Sequence, residues 1–163
     1  MSKKIHSQDL ASSVDMSNGD IYCYIDLSQT NYKPPLDYEL LPKDTDPAPL
    51  LEIYRQYCIY KKFASVWPIY AEEFSNPSND IIGYYDKGKL VAFSMIRILS
   101  STAVEAEQFA WTYHNPKLAL GIKVMKCECA IYKARGYKIL ILGEAHEYKK
   151  QIDGFKLFGP RLP

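Results

Sequence analysis

Apolar and polar positions along the chain follow the repeats of strands and amphipathic helices. Alternating or continuous apolar runs predict strands over 21–27, 38–41, 81–85, 90–99, 102–113, 137–142 and 155–158. Apolar residues repeating at three and four positions predict helices over 47–63, 67–74 and 118–135, with a short segment over 148–152. This order predicts one α+β domain over 21–163. The polar stretch 1–20 is expected to form a flexible N-terminal arm.

The longest predicted helix, 118–135, carries apolar residues on two opposite sides. Gly136 follows its last turn and is expected to end it. One side should lie on the sheet, and the other needs cover from the chain or from a second molecule, which leaves a homodimer open. The two stripes are Leu118, Ile122, Met125, Cys129 and Tyr132, and Leu120, Val124, Cys127 and Ile131.

The predicted strand 102–113 has two unlike faces. With regular alternation, Glu105 and Glu107 share a face with Phe109 and Trp111, and mostly small residues occupy the other face. An apolar wall beside a carboxylate raises its pKa toward that of a useful general base. Glu107 is therefore a candidate catalytic base, although two acids at this spacing are equally typical of a solvated strand face.

Composition and charge narrow the class of protein. The 163 residues hold 20 Lys and Arg against 19 Asp and Glu, a net charge of +1, which argues against a strongly basic nucleic-acid coat. With 47% hydrophobic residues, the chain can bury its own core. Its apolar runs fall far short of the ~20 residues that cross a bilayer. Residues 1–20 do not resemble a signal peptide, so a cytoplasmic domain with no membrane partner is expected.

The cysteines do not show the spacing of a metal site. Cys127 and Cys129 lie two positions apart on the predicted helix and point to different sides. Together with Cys23 and Cys58 they are expected to be reduced, structural thiols. The Glu-Ala-His-Glu segment 144–147 lacks a further well-spaced ligand, so no metal is expected.

Three segments of the chain resemble a known group of enzymes. They are DIIGYYDKGKLVAFSMIRIL (80–99), FAWTYHNPKLALGIKVMKCECAIYKARGYKILILGE (109–144) and EYKKQIDGFKLFG (147–159). These segments resemble the C-terminal half of arginyl- and leucyl-tRNA–protein transferases, which share the fold of the Gcn5-related N-acetyltransferase (GNAT) superfamily. The matching positions are Tyr113, Pro116, Leu120-Gly121, Lys133 to Gly136, Leu142-Gly143, Tyr148-Lys149 and Phe155.

This resemblance implies a GNAT-like α+β fold with a mostly antiparallel central sheet flanked by helices. It also implies transfer of an acyl or aminoacyl group, with acyl-CoA or aminoacyl-tRNA as the co-substrate. Two features depart from the relatives. Only Cys23 stands where the transferases carry an N-terminal cysteine cluster, and the helix start Lys117-Leu-Ala-Leu-Gly-Ile122 has one glycine where CoA-using relatives have two small residues.

The start of the helix 118–135 is a candidate site for a donor phosphate. Lys117 and the backbone N–H groups of Leu120, Gly121 and Ile122 lie where a helix N-terminus can bind an anion. The alternative is a plain strand-to-helix loop with a surface lysine.

Further site residues follow from the resemblance. Tyr148 occupies the place where many GNAT enzymes have a tyrosine that protonates the leaving group, and Lys149 is expected to contact a donor phosphate. Trp111 and Glu107 lie on the strand expected to position the donor carbonyl. For Tyr148 the alternative is a packing role, because the chain has 14 tyrosines.

The sequence thus predicts a transferase that moves an acyl or aminoacyl group to an amine of a protein, a metabolite or a nucleobase. One alternative is a phage-type transferase of the same fold that modifies adenine in DNA, so tRNA and DNA are both candidate partners. The other is a non-catalytic binding module, which a closed or wholly polar cleft beneath Trp111 and Tyr148 would indicate.

Overall fold

The computed structural model describes residues 21–63, 68–112 and 119–159. The predicted N-terminal arm, 1–20, and the start of the predicted helix 67–74 lie outside these ranges. The described chain has seven strands and three α-helices. These elements are β1 (Tyr22–Asp26), β2 (Asp37–Leu40), α1 (Ala48–Lys61), α2 (Ala71–Ser75), β3 (Asn79–Asp86), β4 (Lys89–Ile98), β5 (Ala103–Trp111), α3 (Leu120–Ala134), β6 (Ile139–Glu144) and β7 (Phe155–Phe158).

All seven strands form one sheet in the order β2-β3-β4-β5-β6-β1-β7. Each neighbouring pair is antiparallel except β5 and β6, which are parallel. The β3–β4 hairpin turns at Lys87 and Gly88, with φ of 50° and 78°. Consecutive left-handed residues match the twist of a two-residue hairpin. This architecture is the predicted α+β fold.

The N-terminal strand β1 lies inside the sheet, between β6 and β7. Its central residues, Cys23 to Ile25, are buried, as expected for a strand with a neighbour on each side. Gly154, shortly before β7, packs directly against the backbone of Asp26 at the end of β1, and its carbonyl oxygen accepts a hydrogen bond from Asp26 N–H. A Cβ at that glycine would lie 2.4 Å from the carbonyl oxygen of Asp26, so no other residue fits without a shift.

Helices α1 and α2 contribute to one core, and α3 contributes to the other. The first core contains Leu50 and Tyr57 of α1, Phe74 of α2 and Ala110 of β5. The second core includes buried residues of β1, β6 and β7 together with α3. No helix among the described residues is both long and apolar enough to cross a membrane.

The described residues of both apolar stripes of α3 are buried except Ile122, which is half-buried, and Leu118 lies outside the described residues. Burial on both sides agrees with the prediction made from the periodicity. The chain itself supplies cover through the segment 27–36. The Leu36 carbonyl oxygen lies 3.9 Å from the Cys127 sulfur, and the Tyr32 ring lies 5.4 Å from the Lys126 ammonium. The buried residues of α3 are Leu120, Val124, Met125, Cys127, Glu128, Cys129, Ile131 and Tyr132.

A β-bulge in β5 changes which residues share a face. Ala106 and Gln108 pair with consecutive residues of β4, so Glu107 lies outside the regular register. Ala106 and Phe109 consequently pack against the same core, which also holds α3, whereas Ala110 belongs to the core of α1. Regular alternation predicts Ala106 and Phe109 on opposite faces, and this prediction is wrong because of the bulge.

Candidate active site

Strands β5 and β6 run side by side for a short distance and then separate. Ala103–Glu105 pairs in parallel with Ile139–Ile141. Beyond this point β5 follows β4 as far as Trp111, while β6 follows β1 as far as Glu144. The separation opens the sheet between the two strand ends, and two clefts are lined by residues of this opening.

One cleft, here called the acidic cleft, has a volume of about 840 Å³. Among the described residues, five carboxylates line it, together with one Arg, one His and one Lys. These residues are Glu73, Glu105, Glu107, Glu128, Glu144, Arg97, His146 and Lys149. An excess of carboxylates favours positively charged ligands and repels phosphates.

Glu107 lies at the bulge and forms an ion pair in the acidic cleft. Its Oε1 atom is 2.5 Å from Nη2 of Arg97. Partial burial raises the pKa of the Glu107 carboxyl, the charge of Arg97 opposes this rise, and Glu105 and Glu73 add to it. The structure therefore places Glu107 beside a cation that stabilises its charged form.

Glu128 of α3 is a buried carboxylate that the sequence analysis did not select. Ser94 Oγ donates a hydrogen bond of 2.6 Å to Oε1 of Glu128, and the Tyr84 hydroxyl lies 2.9 Å from Ser94 Oγ. No described residue hydrogen-bonds Oε2. Burial raises the pKa of Glu128 to about 7, although Ser94 and the charge of Lys149 oppose the rise. The sequence could have indicated this burial, because the residues three and four positions before and after Glu128 are all apolar or aromatic.

Lys149 is buried where the 3₁₀ helix Glu147–Gln151 meets β6. Its Nζ atom donates to the carbonyl oxygens of Leu142 and Glu144 at 2.8 and 2.7 Å. Burial lowers the pKa of the ammonium, while the charges around it oppose this effect. Lys149 lines the acidic cleft and not the cleft at the start of α3, and its expected contact with a donor phosphate stays a prediction.

The second cleft, here called the aromatic cleft, has a volume of about 380 Å³ and lies at the N-terminus of α3. The ring of Trp111 is 4.6 Å from that of Tyr57 and 4.9 Å from that of Phe109. The Lys61 ammonium lies 5.4 Å from the indole. The lining residues are Tyr57, Tyr60, Lys61, Phe109, Trp111, Thr112, Ala119, Leu120, Gly121, Ile122 and Tyr148.

The start of α3 brings a backbone surface into the aromatic cleft. Ala119 enters the helix with a left-handed φ of 50°, and no described side chain caps this end. The first N–H groups of a helix have no acceptor within it, so those of Leu120, Gly121 and Ile122 are suited to an anion. A Cβ at Gly121 would lie 3.7 Å from the Trp111 ring. The glycine therefore keeps the space beside the indole open.

Tyr148 reaches the aromatic cleft from the 3₁₀ helix. Its ring stacks on His146 with centroids 6.1 Å apart and planes inclined by 6°. Partial burial raises the pKa of the hydroxyl, as do the nearby Cys23 and Glu128. A tyrosine hydroxyl is protonated at neutral pH even at its ordinary pKa, and the upward shift keeps it so; this is the state a proton donor needs.

The structure separates the predicted site residues into two groups. Glu107 and Lys149 line the acidic cleft, and Lys117 lies outside the described residues. Tyr57 and Phe109 line both clefts, so the clefts adjoin at these two rings. The predicted residues that line the aromatic cleft are Trp111, Leu120, Gly121, Ile122 and Tyr148.

Thiol and metal chemistry have little support at this site. All four cysteines are free, and burial raises the pKa of Cys23 and of Cys127 to about 11. Such thiols are protonated at neutral pH and are poor nucleophiles. Within 21–63, 68–112 and 119–159, no three His, Cys, Asp or Glu residues group closely enough to hold a metal ion.

Comparisons with known proteins identify the fold. No protein-family model and no curated protein matches the sequence. Among solved structures, a ribosomal-protein-alanine N-acetyltransferase from Brucella melitensis is 12% identical, with a TM-score of 0.54 over 69% of this chain and 80% of that protein. A Novosphingobium aromaticivorans protein assigned to the GNAT family is 15% identical, with a TM-score of 0.53 over 87% of this chain and 65% of that protein.

A third similar structure is a domain of a synthetase. It is the C-terminal domain of a protein named as a lysylphosphatidylglycerol synthetase, from Agrobacterium fabrum, and it is 13% identical. The TM-score is 0.53 over 77% of this chain and 46% of that one, so this chain spans less than half of the matched structure. These similarities show that the protein has the GNAT fold, which confirms the predicted fold.

Proposed function

We propose that the protein is an acyl- or aminoacyl-transferase whose aromatic cleft binds the donor and whose acidic cleft binds an amine acceptor. The observation that carries this proposal is the junction of the two clefts at Tyr57 and Phe109, where β5 and β6 separate. A donor in the aromatic cleft and an acceptor in the acidic cleft would meet at this junction. Holding two reactants next to each other in a fixed orientation accounts for much of the rate acceleration of a transfer reaction.

The donor end of the site is the start of α3. The N–H groups of Leu120, Gly121 and Ile122 would bind a phosphate of the donor, with Lys61 of the cleft lining as a nearby positive charge. Lys117, which lies outside the described residues, stays a sequence-based candidate for the same phosphate. The aromatic rings would hold an apolar arm or a base of the donor. Because this helix start has one glycine, we favour aminoacyl-tRNA over acyl-CoA as the donor.

Tyr148 would protonate the leaving group. It lines the aromatic cleft, and its hydroxyl is protonated at neutral pH, because its pKa lies no lower than that of an ordinary tyrosine. When the amine attacks, the C–S bond of a thioester or the C–O bond of a tRNA ester breaks. The departing thiolate or alkoxide then takes the hydroxyl proton, which lowers the barrier.

The acceptor is proposed to be a positively charged amine. The carboxylates of the acidic cleft attract an ammonium group and repel the phosphates of a nucleic acid. This favours a protein or metabolite amine over adenine in DNA. The aromatic cleft is neither closed nor wholly polar, which supports a transferase over the non-catalytic binding module.

A product survey tests the proposed function. The protein is incubated with acetyl-CoA or with charged tRNA and with a diamine, an aminoglycoside, a peptide with a free N-terminus or an adenine-containing oligonucleotide. Mass spectrometry then detects acylated products. We expect products from cationic amines. Acylation of the oligonucleotide alone would contradict the proposed acceptor, and donor binding without any product would support the binding module.

A further inference from the structure

The five carboxylates of the acidic cleft differ in how completely the protein surrounds them. Glu144 is exposed, and Glu73, Glu105 and Glu107 are half-buried. Glu128 is fully buried and still belongs to the lining of the cleft. A buried carboxylate is costly to keep unless hydrogen bonds or a counterion compensate it. A buried glutamate in the lining of a cleft therefore indicates a role beyond packing.

The hydrogen bonds around Glu128 serve one oxygen of the carboxylate. Oε1 accepts from Ser94, whereas Oε2 receives no hydrogen bond from any described residue. Lys149 acts on Glu128 through its charge, but its ammonium is bonded to two carbonyl oxygens. Other titratable groups around Glu128 are Tyr84, Tyr132, Tyr148, Cys127 and Cys129.

We propose that Glu128 is the catalytic base, with Oε2 taking a proton from the ammonium group of an alkyl amine acceptor. This inference rests on the proposed function and names the acceptor's chemistry within it. Glu107 is less suited to the task, because Arg97 lies 2.5 Å from its carboxylate. The guanidinium already occupies the position that the ammonium group of an acceptor would take. The hydrogen bond from Ser94 to Oε1 restrains the Glu128 carboxyl group and leaves Oε2 without a hydrogen bond from the described residues.

The proton balance of the reaction is complete. An alkyl ammonium gives one proton to Glu128 and becomes a neutral amine, whose lone pair attacks the donor carbonyl. A C–N bond forms and the C–S or C–O bond breaks. The leaving group takes a proton from Tyr148, and the nitrogen returns its second proton to that hydroxyl. Glu128 then releases its proton to solvent.

Glu128→Gln tests this role, because the amide keeps the shape and the Ser94 contact but cannot accept the proton. The measurement compares transfer to an alkyl amine with transfer to 2,2,2-trifluoroethylamine, which is already neutral at neutral pH. We expect alkyl-amine transfer to fall roughly 10²- to 10⁴-fold. Transfer to trifluoroethylamine should change far less, and donor binding should be unchanged. Glu147→Gln, an exposed acid on the 3₁₀ helix, should leave both rates unaltered.

The outcomes separate this inference from the proposed function. If the unchanged protein transfers to no amine, the proposed function fails and Glu128 loses its role with it. If the unchanged protein transfers but Glu128→Gln lowers the two rates equally, or lowers neither, only the assignment of the base is overturned.

Ser94→Ala keeps the inference testable should the glutamine variant not fold. This change removes the hydrogen bond that stabilises the charged form of Glu128. The pH at which alkyl-amine transfer becomes half-maximal should therefore move upward, while the profile with trifluoroethylamine keeps its position. Identical profiles for the two amines would overturn the assignment.

Discussion

Tyr148 and Lys149 are neighbours in sequence, yet their side chains line different clefts. Tyr148 is 42% exposed and lines the aromatic cleft, whereas Lys149 is 7% exposed and lines the acidic cleft. The bonds from the Lys149 ammonium to the carbonyl oxygens of Leu142 and Glu144 fix the 3₁₀ helix to the end of β6. The buried lysine thereby positions the tyrosine beside it.

Tyr148→Phe should impair turnover and leave folding intact. The change keeps the ring that stacks on His146 and removes the proposed proton donor. We expect turnover to fall roughly 10²- to 10⁴-fold, with donor affinity and melting temperature unchanged. Tyr38→Phe is a matched control, because Tyr38 is also 42% exposed and lies on β2. A lower melting temperature with full activity per folded molecule would instead assign Tyr148 to packing.

Two substitutions of Gly121 should differ in their effect on donor binding. Alanine fits, since its Cβ would make an ordinary contact with Trp111 at 3.7 Å, and in the first turn of α3 it should stabilise the helix by no more than about 0.5 kcal/mol. Valine adds methyl groups beside the indole and should weaken donor binding at least about tenfold, the equivalent of about 1.4 kcal/mol. Urea unfolding and calorimetric titration measure the two effects. Equal donor affinity in both variants would place the donor elsewhere.

The donor preference can be measured by direct binding. The single glycine at the start of α3 departs from the CoA pattern, and the sequence resembles tRNA-dependent transferases. We expect weak binding of acetyl-CoA and measurable, salt-sensitive retention of tRNA or aminoacyl-tRNA. Sub-micromolar affinity for acetyl-CoA, with no retention of tRNA at moderate salt, would reverse this order.

Val124→Asp should destabilise the fold strongly. Val124 is fully buried on one apolar stripe of α3, so an aspartate there would be an unpaired buried charge. We expect a loss of roughly 3–5 kcal/mol in the free energy of unfolding. Ala134→Asp, an exposed change on the same helix, should cost no more than about 1 kcal/mol. Unchanged thermal unfolding of the first variant would show that this stripe does not need to stay apolar.

Much of the fold follows from local patterns in the sequence. Helix α3 spans Leu120–Ala134 where 118–135 is predicted, and Gly136 follows it with a φ of 92°. Apolar periodicity and a glycine after the last turn are local features of the sequence, so they can be recognised without knowledge of the tertiary structure. The position of β1 between β6 and β7 has no such signal, because strand order depends on contacts between distant residues.

The candidate site is less accessible to sequence reasoning. A bulge at Glu107 shifts the strand by one residue, and no local pattern in the strand marks it. The pairing of Glu128 with Ser94 joins residues 34 positions apart, so only the folded chain reveals it. The aromatic cleft was more predictable, because Trp111 and Gly121 lie on consecutive elements, β5 and α3, and both line it.

Glu128 should make the stability of the protein depend on pH. Its pKa rises from 4.5 to about 7 on burial. Below pH 4.5 both folded and unfolded chains carry the proton, so Glu128 costs nothing. Between 4.5 and about 7 the unfolded chain releases the proton and the folded chain retains it, so stability falls as the pH rises. The full loss is about 3 kcal/mol.

Glu128→Gln removes this titration and should be the more stable protein at neutral pH. The difference in unfolding free energy between the variant and the unchanged protein should grow from pH 4.5 to about 7 and then level off. Urea unfolding across this range measures it, with Glu147→Gln as the exposed control. A constant difference would mean that Glu128 ionises near its ordinary pKa. The carboxylate would then be hydrated or paired in solution, which would remove the physical reason to regard it as a base held ready for an amine.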